Sequence, residues 1–330
     1  MAERPAEAGR REPLVLAVPM RARFRGITTR EVVLLPAADG GWAEWSPFVE
    51  YDDAEARSWL DAALEAAAQD RPAPRRDRVP VNTTVPAVDA ATAHAMVRAS
   101  GCRTAKVKVA DPGQTLAQDQ QRLEAVRDAL GPQGRVRIDV NGLWDLDTAV
   151  AAIPVLDRAA GGLEYVEQPT ATVEDLARVR RRVEVPIAAD ESIRRAEDPA
   201  RVRALEAADV AVLKVQPLGG VRACLRVAED LGLPVVVSSA LETSLGIAAG
   251  VALAAALPEL PHDCGLATVS LFHDDVAVHP LRPEGGSLPV GVPALDPAAL
   301  HRLAAPAERR DWWLARLARV QALPPVRWRP

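Results

Sequence analysis

The sequence predicts an α/β fold: a (β/α)8-type barrel carrying an α+β capping domain built from the N-terminal region and the C-terminal tail. Three observations predict it. Short β-branched runs alternate with Ala/Leu/Arg segments of helical period across residues 79–275, and such alternation implies parallel strands. Consecutive runs are separated by the length of one helix and two loops. Charged residues gather at the C-terminal ends of the runs, where a barrel keeps its active site.

Before the barrel, Leu14–Val18 and Val32–Leu35 are apolar segments around the polar stretch RARFRGITTRE, which suggests a hairpin or meander. Trp42–Phe48 adds a turn or strand. Ser58–Ala68 reads as a helix, with Trp59, Leu60, Ala63 and Leu64 at helical spacing. Arg71–Arg78 is rich in Pro and charge and marks a linker, so residues 1–78 form the first part of the cap. The barrel runs are Val79–Val85, Thr104–Val109, Val136–Val140, Tyr165–Glu167, Pro186–Ala189, Val210–Val215, Pro234–Ser238 and a weak one near Asp263–Ala267. A doubly wound open sheet would place a Gly-rich loop after its first strand, and VNTTVPAVD has no glycine. Residues 276–330 read as a tail returning to the cap, with a final helix near Pro306–Val320. Trp312 and Trp313 on it suit either a core or an interface, and Arg180–Arg182 suits a solvated helix face.

Composition narrows the class. The 330 residues are 48% hydrophobic, and 40 basic against 45 acidic residues leave a formal net charge of −5. A nucleic-acid binder usually shows a basic excess. No apolar run is long enough to span a bilayer, and the charged start MAERPAEAGRREP has no signal-type apolar stretch after it. The expectation is a soluble, cytoplasmic protein with no nucleic-acid or membrane partner. Three distant cysteines exclude a disulfide framework and any CxxC motif. Of the 40 basic residues only three are lysine: Lys106, Lys108 and Lys214. Arginine keeps its proton in a protein, whereas lysine can be tuned to act as a base.

Lys106 and Lys108 are two apart on the second run and share one face of the strand. The next three runs end in carboxylates: Asp139 (with Asn141), Glu167, and Asp190 (with Glu191). Neighbouring parallel strands lie about 4.8 Å apart, so these side chains converge. Converging carboxylates repel, and a divalent cation resolves the repulsion. An all-oxygen set fits Mg2+, with Mn2+ a substitute. Lys214 ends the sixth run, across the mouth from the second. A cation on a substrate carboxylate acidifies the α-proton by stabilising the enediolate, and a neutral lysine can remove that proton.

KxK on strand two, Asp/Glu/Asp on strands three to five and Lys on strand six resemble the enolase superfamily, muconate-lactonising subgroup. The resemblance covers essentially the whole chain and implies the two-part cap. FRGITTRE, WAEWSPFVEY and VVVSSALETSLGIAAG resemble its actinobacterial branch that converts 2-succinyl-6-hydroxy-2,4-cyclohexadiene-1-carboxylate to 2-succinylbenzoate in menaquinone biosynthesis. By that resemblance Lys108 is the base and then the acid of a syn dehydration. Lys214 faces the other side of the ring, and Lys106 tunes Lys108. Asp139, Glu167 and Asp190 bind Mg2+, with Asn141 and Glu191 behind them. Ser238 and Ser239, with nearby backbone N–H groups, hold the succinyl carboxylate, and the loop Pro19–Gly26, including Met20 and Arg21, closes as a lid.

Two other readings stay open. An N-acylamino acid racemase or dipeptide epimerase would use Lys108 and Lys214 as two bases. HDCGLATV lacks the DxD motif of dipeptide epimerases, and strand seven lacks the histidine of sugar acid dehydratases; His262 reads as structural. A non-catalytic binding protein on the same barrel would have lost some of these positions. Self-association is not legible.

Overall fold

The computed structural model describes residues 11–24, 26–69, 71–194 and 198–326. The N-terminal segment 1–10 and position 25 of the expected lid lie outside the described residues.

The cap begins with strands β1 (Leu14–Phe24), β2 (Ile27–Pro36) and β3 (Trp42–Trp45), an antiparallel sheet in that order. Of the polar stretch expected to connect two short strands, residues 21–24 and 27–31 are themselves strand. Pro19 pairs with Thr29 and Phe24 with Ile27, with an irregular register between. Helix α1 (Asp53–Ala67) starts earlier than Ser58 because the Asp52 carboxylate accepts from Glu55 N and caps it. The cap core joins Leu34, Trp45, Trp59 and Leu60 to Phe272, Leu303, Trp313 and Leu317, so both ends of the chain build it. Trp313 belongs to this core: it is fully buried and its indole N–H donates to Glu31 Oε2 at 2.9 Å.

The barrel follows as β4 (Arg78–Pro80), β5 (Thr83–Val85), α2 (Ala90–Ser100), β6 (Thr104–Lys108), α3 (Leu116–Leu130), β7 (Arg135–Asp139), α4 (Leu146–Ala159) and β8 (Leu163–Glu167). It continues as α5 (Val173–Arg180), β9 (Ile187–Ala189), α6 (Asp198–Ala204), β10 (Val210–Leu213), α7 (Val221–Leu231), β11 (Val235–Val237) and α8 (Ser244–Ala256). Strands β5 to β11 form one parallel sheet in chain order. The eighth run contributes bridges rather than a ladder: Cys264 pairs with Val81 at one edge, Gly265 with Ser238 at the other. These two residues join the edges. A Cβ at Gly265 would lie 2.5 Å from Ser238 Oγ and 3.2 Å from Ser238 Cβ, so glycine lets these edges approach without displacing Ser238. The first run is split, because Arg78–Pro80 pairs antiparallel with β12 (Ser287–Pro289) of the tail and leaves only Thr83–Val85 for the sheet. Helices α9 (Pro297–Arg302) and α10 (Ala307–Gln321) complete the chain. Among the described residues no helix is long and apolar enough to cross a membrane.

The cap is pinned over the barrel mouth by buried polar groups. Glu44 of β3 accepts from Thr243 N at 3.2 Å and Gly246 N at 3.1 Å, at the start of α8. A carboxylate at a helix N-terminus satisfies donors that the helix leaves unpaired. Burial, with Glu242 nearby, pushes the Glu44 carboxyl up to about 7 despite these donors. Arg30 lies 4.3 Å from the Phe48 ring and donates to Leu241 O at 3.1 Å, tying β2 to the loop after β11.

Candidate active site

Strand register assembles the site. Lys108 pairs with Asp139 and Asp139 with Glu167, so the three stand abreast at the ends of β6, β7 and β8. Lys106 lies one interior layer lower. Asp190 follows β9 and Lys214 follows β10. Asp139, Glu167 and Asp190 are fully buried.

Each lysine is held by these carboxylates. Lys106 Nζ donates to Asp139 Oδ2 at 2.9 Å and to Glu167 Oε1 at 2.7 Å. Lys108 Nζ donates to Asp139 Oδ2 and Asn141 Oδ1, both at 2.6 Å. Lys214 Nζ donates to Asp190 Oδ2 at 2.5 Å. Asn141 Nδ2 in turn donates to Glu191 Oε1 at 3.3 Å. The backbone is strained where these side chains are placed: Asn141 has φ +52° and Gln168 φ +40°.

The lysines of the second strand are electrostatically unequal. Burial alone would lower Lys106, but Asp139 and Glu167 outweigh it and hold the ammonium well above its ordinary pKa. Burial wins at Lys108, reinforced by repulsion from Lys106, and its pKa falls. Asp139 stays ionised well below the usual range, since Lys106 and Lys108 overcome its burial. Lys214 and Arg194 lower Asp190 against its burial. Glu167 moves the other way, up to about 7, because burial and the Asp139 charge exceed the pull of Lys106. Lys106 and Glu167 thus shift in the same direction although they are partners. Asp139 explains both, as it attracts the ammonium and repels the carboxylate.

A cavity of about 1380 Å3 opens between cap and barrel, lined by Phe24, Tyr51, Lys108, Asn141, Glu191 and Arg194 among others. Of the three lysines, Lys108 is on its wall, 5.4 Å from the Phe24 ring centroid. Met20 and Arg21 are placed otherwise than expected. Met20 packs in the cap core, and Arg21 Nε donates to Phe272 O at 2.8 Å; Arg23, Phe24 and Gly26 line the cavity instead. The hairpin register is irregular between Pro19 and Phe24, so the facing of Met20 and Arg21 does not carry over to the cavity-lining end. Ser238 packs against Gly265, and Ser239 Oγ lies 2.7 Å from Thr268 Oγ1. Neither lines the cavity. His262 Nδ1 is 2.9 Å from Glu164 Oε1, away from the lysines.

Two participants carried no sequence signal. Arg194 reaches Glu191 Oε1 at 2.5 Å, Tyr51 Oη at 3.1 Å and Asp190 Oδ1 at 3.3 Å. Gln168 is fully buried, and its Oε1 accepts from Asp190 N at 3.0 Å and Ser192 N at 3.2 Å, fixing the loop that presents Asp190. Gln168→Leu would orphan both N–H groups. We expect it to cost about 2–6 kcal/mol, since each buried unsatisfied donor costs about 1–3 kcal/mol; a urea unfolding curve with unchanged stability would contradict this.

The donor set suits a hard cation. Asp139, Glu167 and Asp190 offer only oxygen, and Asp190 Oδ1 is buried without a hydrogen bond. Among the described residues no three His, Cys, Asp or Glu side chains are arranged to hold a metal, and the Lys106 ammonium bridges Asp139 and Glu167.

A parallel barrel with this constellation and a two-ended cap defines a class, and comparison with known proteins agrees. Residues 89–294 match the family described as Enolase C-terminal domain-like, and residues 15–67 match Enolase N-terminal domain-like. The chain belongs to the enolase superfamily. It is 68% identical over 274 residues to the o-succinylbenzoate synthase of Thermobifida fusca, covering 83% of this chain and 86% of that one. It is 56% identical over 310 residues to the o-succinylbenzoate synthase of Mycobacterium tuberculosis, covering 94% and 93%. Among solved structures, muconate lactonizing enzyme from Pseudomonas putida superposes with TM-score 0.76 at 22% identity, covering 89% of this chain and 98% of that one. The L-Ala-D/L-Glu epimerase of Bacillus subtilis superposes with TM-score 0.73 at 23% identity, covering 86% and 96%. The scaffold is therefore common to enzymes of different reactions, and the fold alone does not choose among them.

Proposed function

We propose that the chain is an o-succinylbenzoate synthase, a hydro-lyase of menaquinone biosynthesis that converts 2-succinyl-6-hydroxy-2,4-cyclohexadiene-1-carboxylate to 2-succinylbenzoate and water. The observation that carries the chemistry is the inequality of the lysines: Lys108 lines the cavity, whereas Lys214 is buried on Asp190. A dehydration that removes a proton and a hydroxyl from one face needs one base. A racemase needs two, one on each face. The relatives at 56–68% identity carry the choice of substrate.

In this reading Asp139, Glu167 and Asp190 hold Mg2+, or Mn2+ in its place. The bound cation supplies positive charge to the substrate carboxylate as its α-proton leaves. Neutral Lys108 Nζ takes that proton, and the C–H electron pair moves toward the carboxylate. Lys108 then gives the proton to the C6 hydroxyl, the C–O bond breaks, water departs and the ring becomes aromatic. Lys106 stays protonated between Asp139 and Glu167 and keeps positive charge beside Lys108. Lys214 keeps its ion pair with Asp190 and adds positive charge across the barrel mouth from Lys108. Asn141 orients Lys108, and Glu191 orients Asn141.

A cytoplasmic location, with small carboxylates as the partners, goes with this reading.

The test is a competition in D2O with Mg2+ among the cyclohexadiene, an N-succinylamino acid and an Ala-Glu dipeptide. We expect kcat/KM for the cyclohexadiene to exceed the others by at least ~10²-fold, the order of rate that one well-placed general base contributes. Deuterium entering an amino acid α-carbon at an equal or higher rate would replace this reading with the two-base one.

A further inference from the structure

We propose that Arg194 binds the distal succinyl carboxylate of the substrate. The inference deepens the synthase reading and rests on it.

The loop after β11 is the alternative, and its donors are engaged. Ser238 N donates to Leu213 O at 2.9 Å and Ser239 N to Gly265 O at 3.1 Å. Ala240 N donates to Glu242 Oε2 at 2.6 Å. At the start of α8, Thr243 N and Gly246 N serve Glu44, and Ser244 N donates to Asp275 Oδ1 at 3.0 Å. The cap has placed its own carboxylate where a barrel enzyme often receives an anion. With Glu44, Glu242 and Asp275 all buried beside this turn, a further carboxylate would meet repulsion.

Arg194 also stands beside carboxylates, Glu191 and Asp190, but it brings a cation to the cavity wall. It lines the cavity with Lys108, Asn141 and Tyr51. Arg23, Arg201 and Arg226 also line it but are exposed residues, whereas the Arg194 side chain is 12% exposed. A partly desolvated guanidinium binds a carboxylate more strongly than an exposed one, and its planar fork matches both oxygens. Its Nε is buried without a hydrogen-bond acceptor, 3.3 Å from Asp190 Oδ1 in a misaligned contact. A cation held by Asp190 would engage the carboxylate that now balances this edge. The position also suits a two-ended substrate. A chain of hydrogen bonds runs from Lys108 through Asn141 and Glu191 to Arg194, so the group that takes the proton and the group that holds the distal carboxylate are braced by the same side chains. Tyr51, donated to by Arg194, brings the cap into that brace.

The experiment measures dissociation constants of 2-succinylbenzoate and of benzoate, which lacks the succinyl arm, for the full-length protein in Mg2+ by titration calorimetry. Arg194→Met is expected to weaken 2-succinylbenzoate roughly 10–100-fold, the scale of a lost charged hydrogen bond, and to leave benzoate unchanged. Arg194→Lys, which keeps the charge and loses the fork, is expected to fall between; it decides the matter if Arg194→Met does not fold. Equal weakening of both ligands, or of neither, would overturn the proposal while leaving the synthase reading intact. A wild-type protein that binds the two ligands equally and leaves the cyclohexadiene unconverted would overturn the synthase reading itself.

Discussion

Lys108→Ala is expected to lower kcat on the cyclohexadiene by roughly 10²–10⁴-fold, the contribution typical of a positioned general base. The fold is expected to survive. Lys108 Nζ shares Asp139 Oδ2 with Lys106, so its loss leaves the buried carboxylate paired and the destabilisation near the cost of one buried hydrogen bond, about 1–3 kcal/mol. Lys108→Arg separates charge from base chemistry. The guanidinium keeps the positive charge beside Asp139 but does not give up its proton, so this variant is expected to be as inactive as alanine. Rapid-mixing absorbance with a parallel thermal melt checks both. A Lys108→Arg enzyme with near wild-type turnover would remove Lys108 from the role of base.

The second large effect is removal of the divalent cation. Dialysis against a chelator is expected to bring turnover to background, and Mg2+ or Mn2+ to restore it. The carboxylates bury three negative charges at the barrel mouth, where partial neutralisation comes from lysines needed elsewhere in the reaction. Binding of the cation to the folded state alone also raises stability, by about 2.7 kcal/mol at a concentration one hundred times its Kd. The midpoint of thermal unfolding is therefore expected to climb with Mg2+ and to level off at saturation. Turnover insensitive to chelator, with a midpoint indifferent to Mg2+, would contradict the assignment of Asp139, Glu167 and Asp190.

Much of this site was legible in the sequence because a parallel barrel converts spacing into position. One residue per strand end, recurring at each βα unit, places Lys108, Asp139 and Glu167 abreast, and the two-residue step from Lys106 puts both lysines inside. The scarcity of lysine in an arginine-rich chain pointed to the same three residues. The barrel's closure was harder to read, since Cys264 and Gly265 supply single bridges and no hydrophobic run. The hairpin of the cap was misjudged where arginines alternate with apolar residues: RARF looked like a connector yet forms strand, because one face of it meets solvent and the other the cap core. Arg194 and Gln168 were missed for a different reason. Their contacts, to Tyr51 of the cap and to the Asp190 loop, are tertiary, and one more arginine among 40 basic residues attracts no attention. Ser238 and Ser239 were expected from the family resemblance, while their neighbours' donors are committed to Glu44 and Asp275.

The central claim is a Mg2+-dependent dehydration of the cyclohexadiene carboxylate at a barrel mouth with one lysine on the cavity wall. The most direct measurement is absorbance of that compound mixed with the purified wild-type protein and Mg2+, with the product identified by NMR. The expected result is stoichiometric conversion to 2-succinylbenzoate over many turnovers. A folded, Mg2+-binding protein that leaves the compound unchanged would contradict it.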